Sequence, residues 1–316
     1  MPETIFKAEK IIKQYSKFNM SKLKFRKITA LKGLDMEIRR GDIYGFVGEN
    51  GAGKTTLMRI LAGLSTQTAG KIELFGEKRA EAMYRQRSRI NGIIETPAVT
   101  PSLTAKDNLE ICRIQRGIAD KGCISKALLT VGLKESEIDK VKVKDFSLGM
   151  KQRLSIAMAL LGNAELLFFD EPFNGLDPVG IRNFGELVRR LNSERGITIL
   201  ISSHMLSELD QLATCYGFIH KGKMLEQISA NDLKQKLNQY MVIKVSDAPG
   251  AERILQTAFG ITKLKVQSGN VINLYEQFDK KSEIMRALLT DGINVDEMTV
   301  KKESLKKYYM SLVDSV

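Results

Sequence analysis

Apolar positions along this chain fall into short solid runs and helical stripes. Ile43-Tyr-Gly-Phe-Val47, bounded by Gly41-Asp42, is a continuous apolar run of the kind that forms a strand buried on both faces. Behind it, Leu57, Ile60, Leu61 and Leu64 recur at helical spacing and predict one buried helix face. Gly63 is placed as a C-terminal cap, and Gly70 opens a strand over Lys71–Phe75. Upstream, residues 5–12 and 34–38 read as short strands flanking a Lys-rich segment, Ser16 to Lys27. Ile90 to Glu95 is strand-like, and Thr96-Pro97 breaks it. Thr104-Ala-Lys-Asp107 resembles a capping box, and from there to about Glu165 the period is helical.

Two more apolar runs follow, Leu166–Phe169 leading into Asp170-Glu171-Pro172, and Ile197–Ile201 leading into Ser202-Ser-His204. Strands alternating with helices predict an α/β fold: a mainly parallel sheet with a helical insertion over about 97–165 and a ligand at the strands' C-terminal ends. The pattern changes near Gly222 to Asn238. Beyond it come strand-like runs at Met241–Val245, Ile261–Val266, Val271–Tyr275 and Ile293–Val300, with helical stretches near 249–259, 281–290 and 303–313. That βαββαβ-α order predicts a small α+β, ferredoxin-like domain over 241–316, joined by a linker at 226–240.

Composition narrows the class without choosing the chemistry. The 316 residues are 43% hydrophobic and 27% charged, which excludes a disordered chain and leaves room for roughly two domains. No run of 18 uncharged apolar residues occurs, so no membrane span is expected. Met1 to Lys7 carries no apolar signal core, which argues for a cytoplasmic protein. Cys112, Cys123 and Cys215 lack metal-ligand spacing and read as reduced structural thiols. Net charge is +12, and residues 1–40 hold eleven Lys/Arg against four Asp/Glu. A basic surface suits nucleic acid or an anionic membrane, but no aromatic-interleaved motif accompanies it. A solvated basic face is the expectation, with no specific nucleic-acid partner.

The chemistry starts at Gly48-Glu-Asn-Gly-Ala-Gly-Lys-Thr55, which matches G-x-x-x-x-G-K-[ST] at every fixed position, between a strand and a helix. Backbone N–H groups and the positive end of the helix dipole make this turn an anion site. Gly48, Gly51 and Gly53 let the backbone close on phosphate, Lys54 reaches the β- and γ-phosphates, and Thr55 is the expected Mg²⁺ ligand. Asn50 and Thr56 complete the nucleotide-binding stretch. Adjacent strand residues begin on opposite faces, so Asp170 and Glu171 have different jobs. Asp170 fits a Mg²⁺-holding carboxylate, and Glu171 fits a general base for an attacking water. Tyr15 is placed where a ring can stack on a base.

In that order and spacing, residues 1 to about 225 resemble the P-loop NTPase cassette of an ATP-binding cassette (ABC) transporter's nucleotide-binding subunit. Ser147-Leu-Gly-Met-Lys-Gln152 resembles the family signature, Asn174-Gly-Leu-Asp177 the loop that crosses the dimer interface, and His204 the switch histidine. The resemblance implies ATP and Mg²⁺ as cofactors and two head-to-tail copies, Ser147 and Gly149 of one completing the phosphate loop of the other. It implies roles for Asp177 at the interface, for His204 at the γ-phosphate and for Tyr15 at adenine. Two positions depart from the usual pattern. Met150 stands where a second signature glycine is common, and Glu95 where a glutamine usually touches Mg²⁺ and the attacking water. Glu95 resembles the subgroup that protects cells against lantibiotics and bacitracin-like peptides, and is expected at the metal and in coupling to the membrane subunit.

The function expected is therefore the ATPase subunit of an exporter of antimicrobial peptides, held at the inner face of the membrane by a separate permease. The competing readings are an exporter ATPase for a drug, lipid or ion, a cassette ATPase acting on ribosomes or DNA, and a non-hydrolysing binder.

Overall fold

The computed structural model describes residues 3–19, 24–95, 99–134, 138–237 and 239–315, with backbone alone at 17–19 and 24–26. Thr96-Pro97, Met1-Pro2 and the centre of the Lys-rich segment lie outside the described residues. Two compact units divide the chain, residues 1–230 and 231–316.

In the first unit, β1 (Thr4–Asn19), β2 (Lys24–Arg39) and β4 (Ala69–Leu74) form an antiparallel sheet in the order β2-β1-β4. A second sheet has the order β5-β6-β7-β3-β8-β9, where β3 is Ile43–Val47, β5 Ile90–Ile93, β6 Leu166–Asp170, β7 Thr198–Ser203, β8 Cys215–His220 and β9 Lys223–Ser229. Its strands run parallel except β9, which returns antiparallel to β8. Every residue of β3 and β7 is buried, as their solid apolar runs require. Helix α1 (Lys54–Leu61) turns Leu57, Met58, Ile60 and Leu61 into a core shared by both sheets, with Phe6, Ile11 and Leu34 from one and Phe46 and Phe168 from the other. The layers that flank the phosphate loop therefore form one packed body.

The structure corrects three local expectations. The N-terminal strands are one long hairpin. Register shifts near Ala8–Ile11 and Lys13–Gln14, with Lys10 at φ 50°, break the alternation that would have announced it. Leu64 is not on the buried helix face: α1 stops at Leu61 and Leu64 is 73% exposed. Gly63 at φ 77° ends the helix, with Gly63 N–H donating to Ile60 O and Leu64 N–H to Arg59 O in a Schellman motif. The stretch 226–237 is regular, holding the end of β9 and then a helix, Ala230–Lys236.

The insertion is helical, with α2 (Ala80–Gln86) before it and α3 (Ala105–Gln115), α4 (Cys123–Thr130) and α5 (Leu148–Leu160) within it. Thr104 and Asp107 form the reciprocal capping box read from the sequence. Then α6 (Pro178–Arg195) and the short α7 (Leu206–Asp210) complete the unit after α5, and α8 is Ala230–Lys236. Among the described residues no helix is long and apolar enough to cross a membrane.

The second unit pairs β11 (Leu264–Gln267), β12 (Val271–Leu274), β10 (Gln239–Val245) and β13 (Val295–Lys302), in that order and all antiparallel. Helices α9 (Ala248–Phe259) and α10 (Lys281–Thr290) lay Ala251, Leu255, Ile284 and Leu288 on Met241, Ile243, Ile272 and Met298, and α11 (Leu305–Asp314) follows. With its first and third strands central, this is the ferredoxin-like arrangement.

A carboxylate at the base of β6 ties the two sheets of the first unit together. Glu165 accepts from Arg89 Nε at 2.6 Å, Arg89 Nη2 at 2.9 Å and Arg40 Nη1 at 2.7 Å. These guanidinium hydrogen bonds, Arg89's foremost, hold its carboxyl down at about 2. The folded value lies below the unfolded one, so the stabilisation is full above about pH 4.5 and is lost as pH falls toward 2. Glu165→Gln should lower unfolding free energy at pH 7 by on the order of 1 kcal/mol, discounted for a carboxylate about one-third exposed. Urea midpoints of variant and wild type should draw together as pH falls from about 4.5 toward 2. A gap independent of pH would contradict the assignment.

Candidate active site

The strands that lead into the site end level. Phe46 of β3 pairs with Ser202 of β7, and Ser202 with Asp170 of β6. Loops leaving these three strand ends therefore converge at one point on the sheet's C-terminal edge.

The phosphate loop is fixed there by backbone. Gly48 N–H donates to Ser203 O, Ala52 N–H to Glu49 O, and Gly222 N–H to Ala52 O. Gly53, at φ 114°, caps α1 without any side chain, so the N–H groups of its first turn remain for an anion. A methyl group at Gly53 would stand 2.8 Å from Leu31 Cδ2, and one at Gly48 2.5 Å from Ile219 O.

Lys54 is only 5% exposed. Its ammonium is satisfied by Gly48 O at 2.5 Å, Glu49 O at 3.1 Å and Glu171 Oε1 at 3.0 Å. A buried cation needs such partners. Glu171 itself sits at φ 49°, a left-handed conformation that aims its side chain away from that of Asp170. Its second oxygen, Oε2, meets His204 Nδ1 at 2.7 Å. Asp170 has different partners: Oδ2 accepts from Thr55 Oγ1 at 2.7 Å, and Oδ1 from Ser202 Oγ at 2.5 Å. Adjacent carboxylates thus serve two separate clusters, Thr55 with Asp170 and Lys54 with Glu171 and His204.

Other expected residues lie apart from these clusters. Glu95, at φ 60° just past β5, places its 60%-exposed carboxylate on Arg59 Nη2 at 2.6 Å rather than beside Asp170. The guanidinium, one helical turn past Thr55, supplies the carboxylate's countercharge. Ser147 caps α5 by accepting from Met150 N–H at 3.2 Å, and Asp177 caps α6 by accepting from Gly180 N–H at 2.8 Å. Both line a cleft of about 680 Å³ with Gly149, Leu148 and Arg190. Gly149 has open space around it. Gln152 Nε2 donates to Pro172 O, which ties the signature helix to the loop after Glu171. Tyr15, 36% exposed, pairs with Ile28, and Lys13 Nζ lies 5.0 Å from its ring centroid. Asn50 is exposed, and Thr56 is half-buried in the first turn of α1. Sequence reasoning missed Ser202 and Arg59. Ser202 had one signal, a hydroxyl ending an otherwise apolar strand.

A strand–phosphate loop–helix, with a carboxylate pair at the end of a parallel strand one removed and β7 between the two, defines a P-loop nucleoside-triphosphatase. A model of the ABC transporter family matches residues 31–174. Over 280 residues the chain is 42% identical to the bacitracin transport ATP-binding protein BcrA of Bacillus licheniformis, covering 89% of this chain and 91% of that protein. The lantibiotic transport ATP-binding protein SrtF of Streptococcus pyogenes is 41% identical over 226 residues, 71% of this chain and 96% of its own. The fold is that of the dimeric cassette MJ0796 in its post-hydrolysis state, bound to ADP and Pi, with a TM-score of 0.62 at 22% identity over 72% of this chain and 99% of that one. The chain belongs to the ATP-binding proteins of ABC transporters, which bind nucleotide and hydrolyse ATP to power transport.

The loop glycines differ in what they tolerate. Gly51→Ala meets open space and pays only the left-handed backbone cost, about 1 kcal/mol. Gly53→Ala adds a clash to a positive φ and should cost about 2–4 kcal/mol. Melting temperature and fluorescent-ATP binding should both fall further in Gly53→Ala; equal losses would contradict this geometry.

Proposed function

We propose that the chain is the ATPase subunit of an exporter of antimicrobial peptides of the bacitracin and lantibiotic kind. Two copies sandwich ATP head to tail and drive a separate membrane permease, beside which they sit on the cytoplasmic face. The observation that carries the catalytic reading is the contact set of Glu171, with Lys54 on one oxygen and His204 on the other. The cargo rests on BcrA and SrtF, the transport proteins that this chain most fully matches among those described above.

Triphosphate binds at the N-terminus of α1, where Lys54 exchanges Glu171 for the β- and γ-phosphates. An ammonium that leaves Glu171 frees a carboxylate within reach of an attacking water. His204, already on Oε2, keeps that carboxylate aimed and contacts the γ-phosphate. Thr55 Oγ1 and Asp170 Oδ2, 2.7 Å apart, are the hard oxygen pair that suits Mg²⁺, an ion that takes few protein ligands and keeps phosphate and water. Mg²⁺ bound there would neutralise charge on the β- and γ-oxygens. Glu95 would have to release Arg59 to serve a metal there, and that exchange is the proposed route by which it senses nucleotide and passes the state to the permease. Tyr15 stacks on adenine. Ser147 and Gly149 of the second copy close the site over the γ-phosphate, with Asp177 at the interface between copies.

Glu171→Gln should reduce kcat by about 10²–10⁴-fold, as for loss of a general base, and leave ATP bound in a stable dimer. Turnover at the wild-type rate would overturn the assignment of the base. Deleting the gene should sensitise its host to bacitracin or to lantibiotics; unchanged sensitivity to both would overturn the cargo.

A further inference from the structure

One hydroxyl, that of Ser202, holds the Asp170 carboxylate and the main-chain amide of Glu171. It is fully buried, near the end of β7, with Asp170 directly across the ladder on one side and Phe46 on the other. Its Oγ–H donates to Asp170 Oδ1 at 2.5 Å, and its oxygen accepts from the Glu171 amide at 3.0 Å. The same amide also approaches Ser202 O at 3.2 Å. A hydroxyl has one proton and two lone pairs, so this arrangement uses it as donor and acceptor at once. Thr55 takes the other oxygen of Asp170, and between the two hydroxyls the carboxylate is fixed in its plane.

We propose that Ser202 is a positioning residue for the reaction, setting the plane of the Asp170 carboxylate and the left-handed turn that presents Glu171. This rests on the metal-binding reading of Asp170 given above. At φ 49° a non-glycine residue is in a strained left-handed conformation that persists only where its surroundings impose it. The bond from the Glu171 amide to Ser202 Oγ is one such imposition. Without the hydroxyl, Oδ1 of the half-buried Asp170 loses the donor it has here and rotates to find another. Oδ2, the oxygen that faces Thr55, moves with it. Glu171 keeps a single acceptor for its amide and loses its fixed aim at Lys54 and His204.

The test compares Ser202→Ala, the near-isosteric Ser202→Cys and Ser202→Thr with wild type, and Asp170→Asn as a reference. Fluorescent-ATP affinity is measured with Mg²⁺ and with EDTA, alongside melting temperature and kcat against KM. For Ala and Cys, affinity in EDTA should stay within about twofold of wild type, the Mg²⁺-dependent gain should fall at least tenfold, and kcat should fall by more than KM changes. Threonine, which keeps the hydroxyl, should recover most of the Mg²⁺-dependent gain. If Ser202→Ala does not fold, Ser202→Cys carries the same comparison. Undiminished Mg²⁺-dependent gain in the folded variant, or equal loss with Mg²⁺ and EDTA, overturns the inference. Where Asp170→Asn loses that gain and Ser202→Cys keeps it, Ser202 alone fails; where Asp170→Asn keeps it, the metal-binding reading fails first.

Discussion

One carboxylate joins the parts of this site. Asp170 accepts the Thr55 hydroxyl from the phosphate loop and the Ser202 hydroxyl from the neighbouring strand. Both bonds exist because β3, β7 and β6 pair in register and end at the same level. A one-residue slip in that ladder would turn the side chains of Ser202 and Asp170 to opposite faces and dissolve the cluster. The solid apolar runs of these strands, buried on both faces, make such a slip costly. Core packing and site geometry are therefore one constraint.

Electrostatics supplies the moving part. Lys54 is too buried to remain without an anion, and Glu171 serves as that anion while phosphate is not bound. In the proposed reaction triphosphate competes for the same ammonium, and its arrival would release the carboxylate proposed to act on water. Arg59 and Glu95 repeat this logic at the surface, where an exposed pair is weak and readily exchanged. Both pairs take their cation from α1, Lys54 in its first turn and Arg59 in its last.

Features that depend on local chemistry were legible in the sequence. The phosphate loop, the Thr104 capping box, the apolar strands before Asp170 and Ser202, and the order of elements in residues 241–316 all follow from spacing and residue type. Long-range pairings were not. The N-terminal hairpin is hidden by bulges that spoil its alternation. Leu64 fits the helical stripe but follows a glycine in the left-handed region, and backbone conformation overrode periodicity. The Arg59 partner of Glu95 is not legible, because no spacing rule places a residue 36 positions earlier against it. Ser202 looks like an ordinary strand end until Asp170 is set beside it.

The signature residues give the sharpest challenge. The hydrogen bonds of Ser147 and Asp177 are caps of their own helices, while Gly149 stands in open space. Their proposed use requires a second copy. The direct measurement mixes Lys54→Ala chains with Gly149→Arg chains and follows ATP hydrolysis. Neither variant alone has a complete site, whereas a head-to-tail mixed dimer contains one intact phosphate loop facing one intact signature. Hydrolysis in the mixture well above the sum of the separate rates is the expected result. A mixture that merely adds the two rates would contradict the shared site.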